Sequence, residues 1–276
     1  MRKIYSDEII ESICKLIGEI SFTLPSEVKN LIKNAYMKER KGLGKEYLKV
    51  ILKNIEIAEK ERIPVCQDTG MAVVFVEIGP GVIIDCGKYK SLENVINKGV
   101  EIGYKENYLR KSVVSPIERE NTGTNTPAVI HIIPSEGDKF KMTVMEKGFG
   151  SENCSFLKMF SPGAKKEDIE NFVLQVVKNA GPNPCPPVFI GLGIGGDFEK
   201  AAILSKMALI DLEKGSSRWE REILKKVNSL GIGPGGFGGN FTALGVKIKT
   251  FPTHIAGLPV AVNISCWAHR VKSVTL

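Results

Sequence analysis

The spacing of hydrophobic positions changes partway along this chain, and the change divides its predicted elements. Up to about residue 62 apolar side chains recur every three or four positions. Ile9, Ile10, Ile13, Leu16 and Ile17 fall on one helical face with Ser6 placed to cap it, and Val28, Leu31, Ile32 and Ala35 form a second face opened by Ser26. A third helix is predicted from about 45 to 61; it must stop before Pro64, which has no amide to donate and disfavours helical backbone in its predecessor. Cys14 lies in the first apolar stripe and reads as a small core residue. From Met71 the runs become short and β-branched. "MAVVFVEIG" and "GVIIDCG" predict two strands joined tightly at Gly79-Pro80-Gly81. A helix from Ser91 toward Leu109 follows, then strands at "PAVIHIIP" and "KFKMTVME", a helix near 166 to 179 and a strand at "PVFIGLG". Helices near 197 to 212 and 217 to 229 and strands near 242 to 250 and 258 to 265 complete the pattern. This order lacks a regular strand–helix alternation. It predicts an α/β (mixed α+β) fold: an N-terminal helical segment of about 1–62, then mixed sheets flanked by helices. With no internal repeat and no long linker, residues 1–276 read as one domain, with room for two lobes and a seam near 150 to 165.

Composition narrows the class. Hydrophobic residues make up 43% of the chain, enough for a proper core, yet no run approaches the roughly 18 apolar residues of a membrane span. The first twenty residues turn acidic before a signal-peptide core could form, so a cytoplasmic location is expected and a membrane partner is not. A formal charge of +7 raises the question of nucleic acid, but the lysines alternate with glutamates along the helices and aromatics are only 7%. That is the pattern of a solvated face, and no nucleic-acid partner is expected. Six cysteines are too sparse for a disulfide scaffold.

Unusual chemistry collects in the loops "PVCQDTG", "ENTGTNTP", "KGFGSENCS", "GPNPCPP", "GLGIGGDFE", "GIGPGGFGGN" and "VNISCWAHR". Cys66, Cys185 and Cys266 each lie beside a proline or at the end of a predicted strand, where backbone leaves regular structure. Their wide spacing does not separate a metal site from three unrelated buried thiols. The glycine-rich loops add weight, since such segments pack little and exist for close backbone approach or positive φ. "GLGIGG" departs from the dinucleotide fingerprint and "GIGPGGFGG" lacks a Lys-Ser/Thr ending, so amide nests for an anion, a carboxylate or a cluster sulfide fit both at least as well. Asp68 has an everyday role open to it, an Asx turn with Thr69 and Gly70. His131 reads as a strand or core histidine, and His269 as a residue supporting the loop before it.

Taken in order, "PVCQDTG", "ENTGTNTPA", "KGFGSEN", "PCPP", "GIGPGGFGG" and "THIAGLPVAVNISCWAHR" resemble the α-type catalytic part of the class I, iron–sulfur-dependent fumarase and L-tartrate dehydratase family, from about residue 6 to the C-terminus. The resemblance implies a 4Fe-4S cluster held by Cys66, Cys185 and Cys266, with the fourth iron open to substrate. It implies substrate contacts from Gln67, Asp68, Arg110, Gly150 and His254, with Asp68 and His254 catalytic. Cys14, Cys86 and Cys154 have no counterpart among the family's ligands.

The expected activity is therefore hydration of fumarate to S-malate, with L-tartrate dehydration as the close alternative. Single-chain members of the family carry a second, swivelling domain after this part. Because this chain ends at Leu276, a separate β subunit is expected, in a hetero-oligomer with two α chains. Two readings of other classes stand beside it: a non-catalytic module binding a nucleotide or a partner chain, and a zinc hydrolase. The latter is weakened by three scattered histidines with no H-E-x-x-H pair.

Overall fold

The computed structural model describes residues 1–212 and 214–276. They form a mixed α/β structure whose chain divides into two compact units. The first holds Met1–Pro25, Ile55–Gly148 and Arg270–Leu276, and the second Ser26–Asn54 and Phe149–His269.

In the first unit a short strand β1 (Arg2–Tyr5) precedes helix α1 (Ser6–Phe22). The strand was not anticipated, and it moves the predicted cap: extended Tyr5 (φ −97°, ψ 152°) is the N-cap and Ser6 is the first helical residue. The Tyr5 amide donates to the Glu8 carboxylate at 2.8 Å, which meets one of the unsatisfied donors at the helix start. The main sheet has the order β10-β5-β2-β4, with β2 at Met71–Ile78, β4 at Val129–Pro134, β5 at Phe140–Lys147 and β10 at Arg270–Thr275. Only the β2–β4 pair is parallel. β3 (Val82–Asp85) follows β2 closely yet pairs with β1 in a separate two-stranded sheet. Helices α1 and α4 (Leu92–Glu106) cover the main sheet. Ile9, Ile13 and Ile17 meet Val95, Ile96 and Val100 above Val74, Val76, Met142 and Val144 in one buried cluster. Ser91 caps α4, its hydroxyl accepting from the Asn94 amide.

Cys14 departs from its expected core position. It is half-buried, its thiol donates to Glu106 at 3.4 Å, and desolvation followed by that carboxylate pushes its pKa up to about 11.

The second unit contains α2 (Ser26–Lys38) and a sheet of order β6-β9-β7-β8: β6 at Phe156–Phe160, β7 at Val188–Gly195, β8 at Ala243–Phe251 and β9 at Leu258–Ser265. The helix α3 (Leu43–Glu61) begins in this unit and ends in the first. β7 explains the unit's layering. Val188, Ile190 and Leu192 alternate toward α6 (Lys166–Ala180) and α8 (Arg218–Asn228), where they join Val173, Val177, Ile223 and Val227. The intervening Gly191 and Gly193 receive α7 (Phe198–Ala208) so closely that an added Cβ would stand 2.0 Å from the Ser205 and Ala201 carbonyl oxygens. The "GLGIGG" loop is therefore not an anion nest. Residues 191 to 194 lie in a strand paired on both sides, Gly191 and Gly193 admit a helix backbone, and the Gly196 amide donates to the Pro252 carbonyl at 3.2 Å.

Among the described residues no helix is long and apolar enough to cross a membrane.

Candidate functional site

Of the expected site residues, Cys66, Gln67, Asp68 and Arg110 belong to the first unit, and Gly150, Cys185, His254 and Cys266 to the second. Each group is built differently.

The Cys66–Gly70 loop runs from α3 to β2 and is held from behind by buried polar side chains. The hydroxyl of fully buried Tyr104 shares its proton between the carbonyls of Thr69 (2.9 Å) and Gly70 (3.1 Å), and Asn125 Nδ2 donates to the Gly70 carbonyl at 3.2 Å. Burial, followed by the nearby Glu146 carboxylate, raises the Tyr104 pKa well above its ordinary value, so the phenol stays a donor. Arg270 Nη2 donates to the Asp68 carbonyl at 2.7 Å, and its Nη1 lies 3.3 Å from Glu146 Oε2 in an ion pair with side chains 1% and 0% exposed. The other Glu146 oxygen accepts from Ser21 Oγ at 2.5 Å. Desolvation pushes the Glu146 pKa up to about 7, a rise that Arg270 and Ser21 oppose.

Asp68 itself is half-buried. Its Oδ1 accepts from the Gly70 amide at 2.9 Å, so the Asx turn foreseen as its everyday role is present. A Cβ at Gly148 would come within 3.2 Å of Oδ2, so the absence of a side chain there leaves room for the carboxylate. Gly70 has φ +79°, and a Cβ there would sit 2.9 Å from the Lys147 amide nitrogen, so the loop crosses the end of β5 at the closest approach a backbone allows. Arg110 is brought to this loop: Thr69 Oγ1 donates to its carbonyl at 2.9 Å, and the residue itself is exposed. Cys66 is half-buried and Gln67 exposed.

In the second unit Cys185 occupies a turn between α6 and β7 with a left-handed backbone (φ +54°) and an exposed side chain. Its amide donates to the Pro182 carbonyl at 3.0 Å. Gly150, in the short helix α5 (Phe149–Glu152), faces this turn closely enough that a Cβ would lie 3.7 Å from the Asn183 carbonyl oxygen. Cys266 follows β9 and is half-buried. His269 steadies that exit from inside the protein. Its Nε2 is 3.0 Å from the Leu209 carbonyl, which can only accept, so Nε2 carries the proton and Nδ1 accepts from Ser265 Oγ at 2.9 Å. His254 stands on an exposed turn between β8 and β9, where its Nδ1 accepts from the Ala256 amide at 3.2 Å. That bond puts the proton of the neutral ring on Nε2. His131 is a strand residue, stacked on Phe75 with ring centroids 4.8 Å apart.

"GIGPGGFGGN" does hold a carboxylate, but the chain supplies it. The Asn240 and Phe241 amides donate to Glu39, and Gly235, Gly236 and Gly238 donate to carbonyls of Pro186, Gly233 and Ile232. The nest expected to receive an outside anion is filled by a side chain 201 residues away in sequence.

Among the described residues no three His, Cys, Asp or Glu side chains converge on a position for a single metal ion. A cluster held by one thiolate from each of three loops would be a different kind of site from such a single-ion centre.

Tyr104, Asn125, Glu146 and Arg270 were not singled out in the sequence. Asn125, inside "ENTGTNTP", and Arg270, at the end of "VNISCWAHR", lay in loops that carried a signal.

The fumarate hydratase (fumerase) family matches residues 10–275. The chain belongs to that family, and so to the hydro-lyases, enzymes that add or remove water. A protein of Methanocaldococcus jannaschii named "Putative L(+)-tartrate dehydratase subunit alpha" is 40% identical, across 98% of this chain and 98% of its own length. The L(+)-tartrate dehydratase alpha subunits of Escherichia coli K12 and Shigella sonnei are each 29% identical over 96% of this chain and 89% of theirs.

Proposed function

We propose that this chain is the α subunit of an iron–sulfur hydro-lyase that interconverts a four-carbon hydroxy-dicarboxylate and its dehydrated partner, with a separate β subunit completing the active enzyme. The lead reading is fumarate to S-malate, which accords with the family. The relatives' printed names favour L-tartrate as a second substrate reading.

The observation that carries the cluster reading is the sorting of the six thiols. Cys66, Cys185 and Cys266 sit where backbone leaves helix or strand, and their side chains are exposed or half-buried. Cys154 is buried in the apolar cluster of the second unit, Cys86 packs against that of the first, and the Cys14 thiol is held protonated. Only deprotonated, reachable sulfur makes a ligand, so the donor set fits the group. Cys66, Cys185 and Cys266 would hold the cluster, which when bound supplies a Lewis-acidic iron for the leaving hydroxyl.

The remaining work falls to the chain. Asp68, pinned through its carbonyl by Arg270 and through Oδ1 by Gly70, offers a fixed carboxylate to accept or orient the proton at the carbon beside the hydroxyl. Arg110 supplies a planar two-pronged donor for one substrate carboxylate, and Gln67 a side-chain amide for substrate. The Gly150 backbone lets substrate approach without a side chain in the way. His254, its Nδ1 engaged by the Ala256 amide, presents an Nε2–H able to donate to substrate oxygen.

The test is anaerobic reconstitution followed by assays with S-malate and L-tartrate, with and without the β chain. Turnover of one substrate only in the presence of β is expected. Full activity of this chain alone would refute the two-subunit reading.

A further inference from the structure

The glycine-rich loop and the Cys185 turn are joined in the second unit by a continuous set of contacts that begins at Glu39. This residue follows α2, is 4% exposed, and has both carboxylate oxygens in use. Oε1 accepts from the Arg40 amide at 2.9 Å. The Asn240 amide is 2.9 Å from both oxygens, and the Phe241 amide is 3.2 Å from Oε2. Gly239 (φ +133°) passes so near that a Cβ would stand 2.8 Å from Oε2. A buried carboxylate accepting several backbone amides forms charge-assisted bonds, roughly twice as strong as neutral ones.

The loop so gripped is also tied across its width. Gly238 donates to the Ile232 carbonyl at 2.8 Å, and a Cβ at Gly233 would overlap the Gly238 carbonyl carbon at 2.1 Å. The start of α3 also presses on it, since a Cβ at Gly44 would be 2.5 Å from the Gly238 oxygen. At its far side the Gly235 amide donates to the Pro186 carbonyl at 2.8 Å, and Gly236 (φ +78°) lies against Pro182, with 2.6 Å between a would-be Cβ and the proline Cβ. Pro182 and Pro186 flank the left-handed Cys185.

We propose that Glu39 is a positioning residue for Cys185: by holding the glycine-rich loop it fixes the turn that presents this thiol to the metal group. Its bearing on metal rests on the cluster reading above; its bearing on the turn does not. A metal group held by thiolates from separated loops depends on each loop keeping its place. Glu39 supplies that restraint for Cys185 from outside the ligand set, as supporting residues do for metal ligands generally.

The experiment uses the full chain, purified without oxygen, as wild type, Glu39→Gln, Glu39→Asp and the exposed control Glu46→Gln. Glu39→Gln keeps the size but turns an NH₂ group toward backbone donors. Glu39→Asp keeps the charge, and takes the place of Glu39→Gln should that variant not fold. Hydrogen exchange by mass spectrometry reads the loop 231–241, the turn with its Asn183 and Cys185 amides, the Cys266 exit 262–269 and the Cys66 loop. Iron loss to a chelator is followed by visible absorbance on reconstituted samples.

In Glu39→Gln, exchange at both the loop and the Cys185 turn should rise about tenfold, with the Cys266 and Cys66 segments unchanged and iron lost several-fold faster. Glu39→Asp should fall between it and wild type, and Glu46→Gln should match wild type. A loosened loop beside an unchanged Cys185 turn would overturn the proposal. So would equal acceleration in all segments, which is plain destabilisation, or wild-type iron retention. A wild-type chain that takes up no iron would refute the cluster reading instead, and the exchange data would still decide whether Glu39 holds the turn.

Discussion

The loop of Cys66 and the turn of Cys185 are both irregular, both bear a candidate ligand, and are held in opposite ways. Side chains hold the first: Tyr104, Asn125 and Arg270 donate to the carbonyls of Asp68, Thr69 and Gly70, with Glu146 and Ser21 behind them. Backbone holds the second, since Gly235 donates to Pro186 and Gly236 lies against Pro182. A loop held by side chains can be loosened one group at a time, and each removal leaves a polar partner stranded. A turn held by backbone is disturbed by an added Cβ at the glycines that touch it, or by loss of the one carboxylate, Glu39, that grips the loop behind them. The difference suits their proposed roles, which ask an aimed carboxylate of Asp68 and only a fixed position of Cys185.

The largest effect expected treats the two regions alike. Serine at Cys66, Cys185 or Cys266 should each abolish stable iron and sulfide binding, while Cys154→Ser keeps it; chemical analysis of reconstituted protein reads this, and equal loss at Cys154 would show that the ligand set is wrong.

Asp68→Asn separates the loop's shape from its charge. Asparagine can still accept from the Gly70 amide, so cluster and fold should persist while kcat falls at least about a hundredfold. A near-normal rate would remove Asp68 from the chemistry.

Stability should reveal the two kinds of anchor. Arg270→Met strands Glu146 without its cation and should cost about 3–5 kcal/mol in denaturant unfolding, most of it recovered in the double variant with Glu146→Met. Gly236→Ala should cost less, about 1–3 kcal/mol, through its positive φ and the approach to Pro182. Equal costs, or no recovery in the double variant, would erase the distinction.

The last effect is one of pH. Glu146 has a pKa of about 7 in the folded chain against an ordinary 4.5, so the folded state holds this proton more tightly. Its contribution is whole below about pH 4.5 and is lost as pH rises toward 7. Thermal midpoints should therefore fall over that window more steeply in wild type than in Glu146→Gln.

What the sequence disclosed follows the strength of its patterns. Long periodic helices were legible because one face of each is buried, and apolar strands such as "MAVVFVEI" and "PVFIGLG" because both of their faces are. Strands β1, β6 and β10 were not: "RKIY", "FLKMF" and "RVKSVT" are short or mixed in polarity and lie at sheet edges, where burial imposes little alternation. "GIGPGGFGGN" announced special backbone, but nothing local could say that Glu39 fills it. Arg270 stood in a quoted motif and still went unread, since arginine is ordinarily exposed and only the fold shows this one buried beside Glu146. The three proposed ligands were set apart by motif resemblance; the structure adds that Cys154 is buried and that the Cys14 thiol is held protonated, while Cys86 is half-buried like Cys66 and Cys266.

The most direct test of the central claim is to purify the chain without oxygen and measure iron, acid-labile sulfide, zinc and visible absorbance on one sample. Near-stoichiometric iron and sulfide, about four of each per chain, with broad cluster absorption and little zinc, is the predicted result. No iron or sulfide after anaerobic reconstitution would contradict it, and the Cys66 loop would then stand as a well-anchored turn without a metal.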